Sequence, residues 1–149
     1  MIRSICIFMF GMWFCICGCS QISNANFDDM VIYKAGEYVV DGQKLIVSFT
    51  KDKLVDYRLL DASGVEILRS SERASALQRW ELYWESVPAR LWFNSSDVGC
   101  FVWQKNIDSI FVRSEVTAET KKLITQMPNS VFLGLPSSLQ KQWALLRSK

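Results

Sequence analysis

From Tyr33 to Arg69 short apolar-rich runs are separated by turn residues, and over 44–49 the positions alternate with a period of two, the spacing of a strand with one buried face. Leu45, Val47 and Phe49 fall on one side, and Lys44, Ile46 and Ser48 on the other. The runs 37–40 and 44–49 are separated by Asp41-Gly42, a pair that tolerates positive φ and closes tight hairpins. Lys51-Asp52-Lys53 makes a charged turn before the next apolar run, 54–60. Asp61-Ala62-Ser63-Gly64 fits a type I turn, with Asp61 as its cap and Gly64 in the left-handed position, and 65–68 returns. The pattern predicts a four-stranded antiparallel meander over residues 37–69.

The next segment reads two ways. Residues 70–78 contain helix formers, and a helical period could run on through Trp80 and Trp84. Trp80, Leu82 and Trp84 also alternate with Glu81 and Glu85, and this second pattern is preferred. It gives a loop or short helical turn, then a strand over 79–85. Val87-Pro88-Ala89 breaks the chain, 90–94 forms a strand, 95–99 a loop and 100–104 the answering strand. These three runs are expected side by side at the centre of the domain, and 107–113 is read as a last strand. The period then lengthens. Val116, Thr120, Leu123, Ile124 and Met127 share one side of a helix over 117–127, which Pro128-Asn129 ends. Residues 131–135 read as an apolar connector. A second helix starts at Pro136, with Leu139, Trp143 and Leu146 on one side. Strands first and helices last predict an α+β domain: an antiparallel β-meander sheet followed by two C-terminal helices packed on it.

The first twenty residues follow another rule. Arg3 is the one charge, residues 4–18 are uncharged and mostly Ile, Phe, Met, Trp and Cys, and polar residues follow Cys19 at once. A basic start, an apolar core of about 15 residues and a small-residue exit are the parts of a secretory signal, and the core is shorter than the roughly 20 residues of a membrane span. Ile16-Cys17-Gly18-Cys19 resembles the bacterial lipobox. Cys17 is a less usual residue before the Gly, and Cys15 departs from the usual aliphatic or small residue. The resemblance covers residues 1–19 and implies that Cys19 is lipidated on its sulfur and becomes the mature N-terminus. Ser20 in place of Asp after Cys19 points, by analogy with that family, to the outer membrane. Rival readings are a signal cleaved after Ser23-Asn24-Ala25 and an uncleaved short anchor. The expected organisation is signal 1–18, lipidated Cys and polar tether 19–30, and one domain over 31–149.

Charge and cysteine count narrow the chemistry. The formal net charge of the 149 residues is +2, and removal of Arg3 leaves +1. A near-neutral chain is not expected to bind nucleic acid. Residues 111–149 carry six basic and two acidic groups, which reads as solvated helix faces, with apposition to anionic head groups as the rival. Four of the five cysteines lie at or before Cys19, so Cys100, inside the apolar run Cys-Phe-Val-Trp, is expected to be buried and unpaired. No His occurs, which removes the commonest general base, the usual triads and most zinc sites. No glycine-rich phosphate loop and no Gly-x-Ser-x-Gly is present. Asp97 in the loop 94–99 could hold a cation, but a turn is the simpler reading.

The densest chemistry is aromatic. Trp80, Tyr83, Trp84, Trp92, Phe93, Phe101 and Trp103 fall within 24 residues. Such a cluster either fills a core or offers a platform to a glycan or protein. Core filling is the main expectation, and Trp80, Trp84, Trp92 and Trp103 are the candidate binding surface. The sequence therefore predicts a membrane-tethered lipoprotein of the bacterial envelope, facing the periplasm or the exterior, without catalysis, cofactor or metal. Its expected partners are the membrane, through the lipid anchor, and a protein or glycan. The alternatives are a small Asp- or Glu-dependent enzyme and a secreted soluble protein.

Overall fold

The structure is a computed structural model, and it describes residues 29–148. Nine strands are followed by three helices: β1 (Asp29–Ile32), β2 (Gly36–Val40), β3 (Gln43–Phe49), β4 (Val55–Leu60), β5 (Glu66–Arg69), β6 (Trp80–Glu85), β7 (Arg90–Ser95), β8 (Gly99–Lys105), β9 (Phe111–Glu115), α1 (Lys121–Gln126), α2 (Asn129–Gly134) and α3 (Ser137–Arg147). The fold is α+β, and every strand pair is antiparallel.

The strands form two sheets where the sequence suggested one. Sheet B has the order β2-β3-β4-β5, the meander expected for 37–69. Sheet A has the order β1-β6-β7-β8-β9. Asp41 and Gly42 both have positive φ, 48° and 73°, and join Val40 to its partner Gln43. This is the two-residue hairpin whose twist matches its strands. Gly64 has φ 86°, and the Gly64 amide donates to the Asp61 carbonyl, closing the second turn. Asp61 Oδ1 accepts from the amides of Ser63 and Val65 and from the Ser63 hydroxyl.

Three layers result. The inner face of sheet B supplies Leu45, Val47, Val55, Tyr57, Leu59 and Leu68; one face of sheet A supplies Ile32, Leu82, Trp84, Leu91 and Phe93. Between them lies one apolar core. The other face of sheet A, with Tyr83, Trp92, Cys100 and Val102, packs on Ile124, Met127, Val131, Leu135 and Trp143 of the helical layer. Trp92 and Phe93 point to opposite faces, and both are fully buried. The three strands of residues 80–105 are thus central, as expected, and covered on both sides.

Local departures have physical causes. Residues 131–135 are not a simple connector: α2 forms between Pro128 and Pro136, each of which sits at a helix N-cap with extended backbone. The first helix is shorter than the apolar period suggested and starts at Lys121. The last strand begins at Phe111, because Asn106 Oδ1 accepts from the amides of Asp108 and Ile110 and turns residues 106–110 into a hairpin tip. The strand β1 starts two residues inside the expected tether and pairs with β6, some fifty positions away. Residues 70–79 contain no helix and bridge Leu54 through Ser75.

Candidate functional site

The lipobox-like stretch and Cys19 lie outside the described residues. The four candidate tryptophans fall within them, and none stands open on the surface. Trp80, Trp84 and Trp92 are buried and Trp103 is half-buried. As strand residues they alternate, so Trp80, Trp84 and Trp103 face the two-sheet core and Trp92 faces the helices. No shared indole platform forms.

The indole N–H groups show what three of them do. Trp84 Nε1 donates to Asp41 Oδ2 at 2.9 Å, and Ser86 Oγ donates to Asp41 Oδ1 at 2.9 Å. The hairpin turn of sheet B is thereby fastened to sheet A. Trp92 Nε1 donates to Glu85 Oε2 at 2.9 Å, and Arg90 approaches the same oxygen at 3.8 Å. Trp103 Nε1 donates to the Tyr57 hydroxyl at 3.0 Å, and that hydroxyl donates to Glu72 Oε2 at 2.7 Å. Arg113 Nη1 binds Glu72 Oε1 at 3.2 Å, with its guanidinium 4.9 Å from the Phe101 ring centre. Burial, then the Glu72 charge beside it, holds the Tyr57 hydroxyl protonated well above its usual 10.0. This chain of groups satisfies polar atoms where the sheets meet; a buried carboxylate such as Glu72 would otherwise cost several kcal/mol.

A second polar row crosses the helix face of sheet A. Glu81, Asn94 and Cys100 are register partners on β6, β7 and β8. Asn94 Nδ2 donates to Glu81 Oε1 at 3.2 Å, while Asn94 Oδ1 is buried with no hydrogen-bond partner among the described residues. Burial, with a smaller push from Glu81, raises the Cys100 thiol to about 12. A thiol so protonated is a poor nucleophile at neutral pH, and Cys100 is buried and unpaired, as expected. Helix α2 closes over the row, and a Cβ placed on Gly134 would lie 1.4 Å from Glu81 Oε1.

These positions bear on acid–base chemistry. Glu81 and Glu85 share a face but lie four residues apart on one strand, about 13 Å along it. A two-carboxylate glycosidase site needs about 5 to 9.5 Å. Glu72 faces the opposite side of sheet A from both. Asp97, the loop carboxylate, accepts from the Ser75 amide at 2.8 Å and from the Ser95 hydroxyl. Burial pushes its carboxyl up, but these hydrogen bonds outweigh burial and hold it below 3.8. Asp97 thus ties the β7–β8 turn to residues 70–79. No group of three or more His, Cys, Asp or Glu suited to a metal occurs among the described residues.

The open surface lies at one end of sheet A. A cavity of about 320 Å³ is lined there by Pro88, Ala89, Arg90, Gln104 and Lys105. Beside it stand Val87, 89% exposed, and Ile107, 98% exposed, on the β6–β7 and β8–β9 turns. Sequence reasoning missed this site because it gave Ile107 to a strand. No family model matches the chain, and neither a curated protein nor a solved structure does.

Proposed function

We propose that this chain is a membrane-tethered lipoprotein of a bacterial envelope, lipidated at Cys19, whose domain is a non-catalytic binding or structural module. The observation that carries the reading is Ile16-Cys17-Gly18-Cys19, placed after an uncharged apolar run and before a polar stretch. Among the described residues, no helix is long and apolar enough to cross a membrane. The anchoring would then fall to acyl chains, each buried methylene contributing about 0.8 kcal/mol. A non-catalytic module agrees with a described domain in which carboxylates, indoles and the thiol are engaged in packing and hydrogen bonds. The tether would hold it at the membrane, where a protein or glycan partner could meet it.

Mass spectrometry of the mature N-terminus tests the proposal. The expected species begins at Cys19 and carries the mass of a diacylglycerol. Cys19→Ser should block that processing or change the protein's fractionation. An N-terminus at Asn26, unchanged in Cys19→Ser, would replace the lipoprotein with a secreted protein.

A further inference from the structure

Strand register brings one end of each of the five strands to one end of sheet A. Asp29 pairs with Glu85, Glu85 with Arg90, Arg90 with Gln104, and Lys105 with Phe111. The chain preceding β1 therefore enters the fold at the same end as the β6–β7 turn (86–89) and the β8–β9 turn (106–110). These two turns carry the most exposed large apolar side chains of the described residues, Ile107 and Val87, and Ile110 is 60% exposed beside them. The side chains serve no packing purpose: Asn106 and its own hydrogen bonds hold the β8–β9 turn. An apolar pair at adjacent loop tips, next to the entry of a lipid-bearing tether, is placed to meet a lipid surface.

We propose that this end of sheet A docks on the bilayer that holds the anchor, with Val87 and Ile107 entering the boundary between head groups and acyl chains. The inference rests on the lipoprotein reading above. Lys105 and Asp108 give the β8–β9 tip one charge of each sign, so the contact is apolar and does not require anionic lipid. The cavity between the turns, lined by Arg90, Gln104 and Lys105, offers room and donors for a phosphate group of the lipid layer. Two apolar tips bind weakly alone; the tether supplies the local concentration that makes the contact persist. The strands then stand end-on to the membrane, and the charged opposite end, with Lys51, Lys53 and Arg73, points away from it.

The test is hydrogen exchange of the full chain, isolated with its native processing and reconstituted in phosphatidylcholine vesicles, against the same protein in detergent-free amphipathic polymer. Flotation with the vesicles reads the anchor, and local exchange reads the docking. The amides of Ser86, Val87 and Ala89 and those of 106–110 should slow at least about threefold in vesicles, with the 50–53 turn unchanged. Val87→Asp combined with Ile107→Asp should abolish that slowing, at both 50 mM and 500 mM salt, while sheet amides keep their protection. A chain that floats with these turns as open as in polymer overturns the docking and leaves the anchor standing. Slowing at 50–53, or at Leu133 and Leu145 of the helical layer, overturns it in favour of another face. A chain that does not float overturns the anchor and, with it, the docking.

Discussion

The two sheets share one core but differ on their second faces. The outer face of sheet B meets water, and its strands alternate accordingly: in β4, Val55, Tyr57 and Leu59 are buried while Asp56, Arg58 and Leu60 are only partly so. Sheet A is covered by sheet B on one side and by helices on the other. In β7, all of Leu91, Trp92, Phe93, Asn94 and Ser95 are buried. One-sided burial writes a period of two into the sequence, and two-sided burial erases it. It also forces polar groups such as Asn94 and Glu81 to find partners beneath the helices.

The largest test of this difference is truncation of an indole on either face of sheet A. Trp84→Ala, on the two-sheet side, and Trp92→Ala, on the helix side, should each destabilise the domain by about 3 to 5 kcal/mol in chemical denaturation. A value for Trp92→Ala below about 1 kcal/mol would mean that the helical layer does not form a true second core.

Alkaline titration comes next, and it probes the helix-side core. Cys100 is raised from 9.0 to about 12 in the folded protein, first by burial and then by Glu81. Below pH 9 both folded and unfolded chains hold the proton, and the full stability is present. As the pH rises from 9 toward 12 the unfolded chain loses it first, so stability falls by about 1.4 kcal/mol per pH unit. Cys100→Ala should remove that part of the slope in denaturation midpoints measured between pH 8 and 11. Tyr57 acts in the same direction, only above its usual 10.0.

A smaller effect is expected where α2 meets sheet A. Gly134→Ala should cost no more than about 1 kcal/mol, because the new methyl must swing the Glu81 carboxylate aside and break its bond from Asn94, while the helix gains from Ala. Combined with Glu81→Ala, most of that cost should vanish, and this coupling is the measurement that counts. The smallest effect belongs to sheet B. Val39, 62% exposed on its outer face, should change stability by less than about 0.5 kcal/mol when replaced by Thr. A larger loss would reveal something covering that face in solution.

What was legible in the sequence follows the same division. Asp41-Gly42 and Gly64 announced their turns because the positive φ they need is a local property. The sheet B meander was readable because one face is wet. The run Trp80-Glu81-Leu82-Tyr83-Trp84-Glu85 gave its strand but not its double burial, since a partner on each side leaves no local mark. The six-residue helix α2 between two prolines is too short to display a helical period. Of the candidate site, the four tryptophans were visible, yet their roles depended on Asp41 and Tyr57, residues 43 and 46 positions from their indole partners. The turn at Val87 was legible from Pro88, but the exposed tip at Ile107 was hidden by its apolar character, which resembles a strand until the Asn106 turn is seen.

The pairing of β1 with β6 gives the domain a mechanical property. Its first described strand enters at the end of sheet A that carries the β6–β7 and β8–β9 turns, and its four residue pairs, Asp29 with Glu85 through Ile32 with Leu82, lie one behind another along the strand. A pull on the chain preceding β1 acts along that strand, at right angles to the ladder hydrogen bonds. The bonds are then loaded together in shear and do not open one after another as in a peeled hairpin. A domain anchored through Cys19, as proposed above, would be tugged in the direction its first strand resists best.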